Sequence, residues 1–277
     1  MERTLVTNQN NVINGNALLA LNKDSSFELN IKESANILIK EVNENSSLIL
    51  NLGKDAFAKV AILSKNSVNN LKITANLNEN AELLIYFADF SACHGKANIS
   101  INLNKENAKA IWHLASLSSQ KDNKEFDVSI FHNSGKTTGL SDNYGVCKDD
   151  ARLVFSGVSS IFNGSKLSKT NQNAKIMVFD KNSNAVAKPI LKIDENDIEA
   201  SHGAVVGKIS DEHLFYLESR GLNEETVKKF LIGFNHKTNS ITFPVWDEYG
   251  GLVGITERHV YKKIYHIPDS ITKPIYL

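Results

Sequence analysis

Proline is missing from the first 188 residues of this 277-residue chain; the four it has begin at Pro189. Cysteine is scarce as well. Cys93 and Cys147 are too few for a disulfide framework and lack the paired spacing of a zinc site, so they read as reduced, buried thiols. Charge of one sign is also lacking: 31 Lys and Arg balance 31 Asp and Glu. That balance argues against a nucleic-acid binder, which usually shows a basic excess. No apolar run approaches bilayer length, and the opening MERTLVTNQNN has no apolar h-region, so a cytoplasmic protein without membrane association is expected. GxxxxGK[ST], GxGxxG after a strand and a nucleophile elbow are all missing. The chain is therefore expected not to be an enzyme, and ATP hydrolysis linked to it would belong to a partner.

What is present is short, regular alternation. From Phe27 the segments FELNI, NILIKEV, SLILNL, AKVAIL, LKITANL, ELLIYFADF, ANISINL and AKAIWHLASL succeed one another, with strand starts every ~10–15 residues. FDVSIFH, GLSDNYGV, ARLVFSGVSSIF and KIMVFD continue the pattern. Residues 1 to about 25 read as an irregular lead-in containing one apolar segment, Ala17 to Leu21. Asparagine dominates the gaps (Asn43, Asn45, Asn76, Asn78, Asn80, Asn104, Asn107), because it tolerates the left-handed conformation of a tight corner. A sandwich, a barrel or a solenoid would fit. Short strands, polar corners and the lack of proline favour the solenoid, in which each rung covers its neighbour.

Between Lys188 and Gly221 the pattern changes from period-2 alternation to helical spacing. Ser210, Asp211 and Glu212 suit a helix N-terminus, Leu214, Phe215 and Leu217 an apolar face, and Gly221 a stop. A second helix is expected from Asn223 through Val227, Phe230 and Leu231 to Gly233. The segment SHGAVVGKISDEHLFYLESRG, with its lead-in KTNQNAKIMVFDKNSNAVAKPILKIDENDIEA, resembles the SufB/SufD family, and the SufD branch in particular. These are scaffold proteins of iron–sulfur cluster assembly. The resemblance implies a mainly β protein, with a right-handed parallel β-helix core followed by a small helical pair and a short hairpin tail. It also implies pairing with a SufB-like subunit or a second copy, and docking of a SufC-like ATPase through Leu214, Phe215, Leu217, Val227, Phe230 and Leu231.

His202 is the sharpest candidate site residue. By the resemblance it sits where two solenoids pair and takes part in assembling a transient iron–sulfur cluster shared with the partner, as a possible metal ligand. A neutral imidazole can ligate iron or relay a proton; the alternative role is a hydrogen bond across the interface. Many relatives carry cysteine where Ala200 stands, so other cluster ligands would come from the partner. Cys93 and His94, adjacent on a strand, would point to opposite faces, and His113 beside Trp112 reads as a satisfied side chain near the core. His132 lies in a rung resembling the family's and is assigned no chemistry.

From Asn235 the pattern changes again. NSITFPVWDEYGGLVGITERHVYKKIYHIPDSITKPIYL reads as a hairpin, Ile241 to Trp246 and Leu252 to Arg258, and resembles a fragment of a DnaG-type or phage primase core. The acidic metal-binding and zinc-binding parts of such an enzyme have no counterpart here. The expected division is a core at 1–207, a helical subdomain at 208–234 and a foreign or primase-like tail at 235–277. A nucleic-acid-binding module acting through that tail is the competing function.

Overall fold

A computed structural model describes residues 10–208 without interruption. Beyond them it describes residues 4–5, 215, 218–219, 221, 233–235, 240–246, 252–259 and 265–266. Two compact units divide the chain, residues 1–207 and 208–277.

The first unit's strands are β1 (Thr4–Leu5), β2 (Asn10–Leu21), β3 (Ser26–Val42), β4 (Ser47–Leu52) and β5 (Phe57–Ser64). Next come β6 (Leu71–Leu77), β7 (Glu82–Asp89), β8 (His94–Leu103), β9 (Lys109–Ser118) and β10 (Asn123–His132). The series ends with β11 (Thr138–Cys147), β12 (Arg152–Ile161), β13 (Ser168–Val178), β14 (Asn184–Ile193) and β15 (Ile198–Lys208). Their order, β14-β12-β10-β8-β6-β4-β3-β5-β7-β9-β11-β13-β15, sends even strands to one side of β3 and odd strands to the other. Pairing is parallel. Successive strands therefore alternate between two faces while the chain advances one rung per turn. This is a parallel β-solenoid, as the alternation and polar corners suggested. β3 joins the faces: its first half pairs with β4 and its second with β5.

The lead-in is more ordered than its sequence implied. β2 is a twelve-residue strand paired along β3. Its alternation is hidden because the register shifts between Ile13 and Gly15, where Gly15 adopts φ 85°. FELNI and NILIKEV likewise belong to one strand, β3.

Asparagine works as expected at several corners. Among the described residues ten non-glycine positions have positive φ, and seven are Asn or Asp: Asp24, Asn45, Asp55, Asn70, Asn80, Asn107 and Asp149. Their side chains stack from rung to rung, Asn45 on Asp24, Asn70 on Asn45, Asn80 on Asp55 and Asn107 on Asn80, at 2.7–3.0 Å. Asn76, placed in a gap by its sequence, instead lies within β6. There it joins an outer ladder, Asn30–Asn51–Asn76–Asn102, linked at 2.9–3.1 Å.

The turns widen along the axis. One column of paired positions takes 21 residues from Ser26 to Ser47, 25 to Lys72 and 26 to Asn98. It then takes 29 to Asp127, 29 to Ser156 and 32 to Lys188. Larger side chains fill the widening coil. Phe87 meets Trp112 and Phe126 edge-on at 6.0 Å, and Phe126 meets Phe155 at 5.9 Å. Gly145 admits that packing, since a Cβ there would come within 2.6 Å of Leu153 and 2.9 Å of Phe155.

Within the second unit β16 (Gly233–Asn235), β17 (Ser240–Trp246), β18 (Leu252–His259) and β19 (Tyr265–His266) pair antiparallel in that order. Phe215, Glu218 and Ser219 are helical, and Gly221 follows at φ 84° with its N–H on the Glu218 carbonyl at 2.9 Å.

Candidate functional site

β15 places His202. Four contacts fix its register against β13. The Leu167 N–H donates to the Asp197 carbonyl at 2.6 Å, and Lys169 pairs with Glu199 at 2.8 Å. Asn171 Nδ2 donates to Ser201 Oγ at 2.7 Å, and Gly203 lies against Asn173 Oδ1. Each partner is thirty residues on, so Gln172 stands beneath His202. Asn171 and Asn173 face outward and Gln172 is buried. Because side chains alternate along a strand, His202 belongs to the inner column together with Ala200, Ala204 and Val206. It is nevertheless exposed, for β15 ends the sheet order and no described strand pairs with its outer edge.

The two strands of this last rung differ at their free edges. At the two ends of β14 the Asn184 N–H donates to the Ala151 carbonyl just before β12, and the Asp194 N–H to the Ile161 carbonyl that ends β12, each at 2.9 Å, so even-numbered residues face β12 and odd-numbered ones the outer edge. Pro189 is odd-numbered. It removes a donor from that edge and sets a ring there, which blunts it against strand addition. In β15 the Asp197 carbonyl faces β13, so even-numbered residues, His202 among them, turn their backbone groups outward. From Ala200 to Val206 that edge carries neither proline nor a charged residue, and Val205 and Val206 are 58% and 44% exposed.

Beneath His202 the interior is polar. Gln172 Nε2 donates to Ser159 Oγ at 2.6 Å and to the Ile190 carbonyl at 3.2 Å. Thr170 Oγ1 donates to Ser159 Oγ at 2.9 Å. Further down the same column stand Ser141 and Trp112; Trp112 Nε1 donates to Asn143 Oδ1 of the next inner position at 3.0 Å, and Asn143 donates to Ser141. Among the described residues no three His, Cys, Asp or Glu side chains are grouped to hold a metal ion. His202 is thus not part of any such group among the described residues.

The other singled-out residues are scattered. Cys147 is buried, and desolvation pushes its thiol up to about 11, which makes it unreactive. Cys93, half-buried, lies 3.3 Å from Ser91 Oγ, and His94 is exposed. His113 is not on the core side: it sits half-buried on the outer face, stacked on Tyr86 at 5.2 Å with Nδ1 3.4 Å from Asp142. Trp112 beside it takes the inner position, as alternation requires. His132 is fully buried with Nδ1 2.7 Å from Thr137 Oγ1, and desolvation lowers its pKa to about 4. Phe215 is 73% exposed; Leu214, Leu217, Val227, Phe230 and Leu231 lie outside the described residues.

Sequence reasoning missed a fully buried ion pair. Lys124 Nζ lies 2.8 Å from Asp89 Oδ2 and 2.7 Å from the Leu117 carbonyl, and it also donates to the Ser91 carbonyl. Ser91 and Ser116 donate to the same carboxylate. The signal was parity: Lys124 alternates with Phe126, Val128 and Ile130, and Asp89 with Ile85 and Phe87. Gln172 shares its parity with Ala174 and Ile176 in the same way.

Comparison with known proteins accounts for this architecture. A family model, SUF system FeS cluster assembly, SufBD core domain, matches residues 4–233. The chain belongs to the SufB/SufD family. It is similar to the iron-sulfur cluster assembly protein SufD of Bacillus subtilis, with 32% identity over 109 residues, 39% of this chain and 25% of that protein. SufD of Escherichia coli is 30% identical over 137 residues, 49% of this chain and 32% of that protein. An iron-sulfur cluster assembly SufBD family protein of Staphylococcus epidermidis is 23% identical over 127 residues, 46% of this chain and 27% of that protein. The chain spans about a quarter to a third of the length of these SufB/SufD relatives. The family match ends at residue 233, and none of these similarities carries the primase resemblance of 235–277.

Proposed function

We propose that this chain is a SufD-like, non-catalytic component of a cytoplasmic iron–sulfur cluster assembly scaffold. It pairs with a SufB-like subunit, or with a second copy of itself, through the outer edge of β15. The observation that carries this reading is the asymmetry of the last rung, where Pro189 blunts the β14 edge while the β15 edge around His202 keeps its outward N–H and C=O groups. An added strand would complete those hydrogen bonds and cover the inner column. His202 then faces the partner's pairing strand, where the cluster, the scaffold's cargo, would meet both subunits. Metal ligands beyond one imidazole would come from the partner, since Ala200 supplies no thiolate. Residues after Gly207, with Leu214, Phe215, Leu217, Val227, Phe230 and Leu231 as the apolar contacts, recruit the SufC-like ATPase.

Copurification of the full chain with a SufB-like and a SufC-like protein tests the pairing. Val206→Pro, on the free edge, is expected to abolish capture of the SufB-like partner while leaving the solenoid folded. His202→Ala is expected to keep capture and lose cluster delivery. A full chain that binds neither partner would defeat the proposal. The nucleic-acid reading of residues 235–277 has no comparable support; a salt-sensitive gel shift with single-stranded DNA would revive it.

A further inference from the structure

Gln172 is the buried polar side chain closest in register to His202, one rung beneath it in the same inner column. Its side chain crosses the coil from β13 and is anchored at two points on the opposite face, Ser159 Oγ of β12 at 2.6 Å and the Ile190 carbonyl of β14 at 3.2 Å. The Ile190 carbonyl can only accept, so the nitrogen must face it, and the amide orientation is fixed. Ser159 is held in turn by Thr170 Oγ1 at 2.9 Å, whose hydroxyl also lies 3.1 Å from the Gly139 carbonyl. Gly157 leaves room for the crossing: a Cβ there would come within 3.2 Å of Gln172 Oε1 and 2.9 Å of the Val128 carbonyl. Three strands, β12, β13 and β14, are thus braced by one carboxamide directly under an exposed imidazole. The rest of the inner surface of the last rung, Ala185, Ala187, Pro189 and Leu191 on β14 with Ala200, Ala204 and Val206 on β15, offers no hydrogen bond from a side chain.

We propose that Gln172 is the positioning residue for His202, a cross-brace that makes the floor of the imidazole rigid and polar so that the ring is presented in one orientation to the partner's rung. Rigid neighbours one layer out are what hold a functional side chain in place. This rests on the reading of β15 as the pairing edge.

The test uses the full chain labelled with ¹⁵N in histidine, with the His202 ring nitrogens identified by their loss in His202→Ala. Gln172→Met keeps the length of the side chain and removes both hydrogen bonds. At one fixed pH it is expected to move the His202 nitrogen shifts toward tautomer-averaged values and to weaken capture of a SufB-like partner about tenfold, or about 1.4 kcal/mol. The nitrogens of His113, on the outer face, should not move. Ser159→Ala removes one anchor and is expected to act in the same direction with a smaller shift; it decides the matter if Gln172→Met does not fold. Unchanged His202 nitrogens in a folded Gln172→Met chain, or failing that in Ser159→Ala, would overturn the proposal. Should the His202 nitrogens respond while the wild-type chain captures no partner, the pairing reading fails and the positioning role stands.

Discussion

The first rungs of the solenoid and the last ones solve the same packing problem differently. Between β3 and β6 the interior is mostly apolar: Leu29, Leu48, Leu50, Leu52, Ala58, Val60 and Ile73 are at most 1% exposed, with Ser46 and Ser64 as the buried polar side chains, and the asparagine ladders run along the outside. From the end of β7 onward the coil is wider, and its interior holds Lys124 with Asp89, His132 with Thr137, and Gln172 with Ser159. A narrow coil needs only aliphatic side chains to fill it at the density of a protein interior. A wider one needs aromatic rings or hydrogen-bonded polar groups that span the gap, and each buried polar group must then find a partner. The polar interior lies toward the end that carries His202, whereas the far end is mostly an apolar stack.

The sharpest way to break this comparison is to remove Lys124. Lys124→Ala leaves the Asp89 carboxylate buried without its cation and is expected to cost about 3–5 kcal/mol in urea unfolding. Leu50→Ala in the apolar rungs should cost roughly 2–5 kcal/mol through transfer and cavity terms alone.

His132 gives the next effect. Its pKa falls from 6.5 to about 4 on burial, so below pH 6.5 the unfolded chain takes up a proton that the folded chain refuses. The stability tied to this group is complete above about pH 6.5 and is lost progressively as pH falls to about 4, by about 3 kcal/mol in all. His132→Gln should remove that slope, measured as unfolding free energy against pH; an unaltered slope would show that the imidazole is not the group responsible.

Smaller effects probe the outside and the corners. Asn76→Ala interrupts the outer ladder between Asn51 and Asn102 and is expected to cost about 1 kcal/mol. Leu167 occupies φ 60°, the conformation that other corners assign to Asn or Asp, and is 54% exposed. Leu167→Asn should therefore stabilise the late rungs by about 1 kcal/mol. Thermal unfolding detects both, and a destabilising Leu167→Asn would mean that the leucine makes a contact worth more than its backbone strain.

Much of this could be read from the residues. Alternation located nearly every strand from β3 to β13, and asparagine marked several corners, because both follow from local rules about which side chains tolerate a pleat or a left-handed turn. β2 escaped notice because a register shift at Gly15 interrupts its alternation. His113, expected as a satisfied side chain near the core, is half-buried and partnered by Tyr86 and Asp142, but strict parity puts it on the face opposite Trp112. Lys124, Asp89 and Gln172 kept the inward parity of their strands but were passed over, since charged and amide side chains are assumed to lie outside unless a partner is known.

Beyond what the family resemblance implied (the parallel coil and the place of His202), the amino-acid order alone determined the run of short alternating strands, their polar corners and the change of pattern near Lys188. These depend on neighbours within a few residues. Tertiary structure decided which polar side chains are buried together, which of the two last strands keeps a usable edge, and that His202 belongs to the inner column of an uncovered rung. Those facts depend on a register thirty residues long, set by the width of each turn, and no local pattern carries that distance.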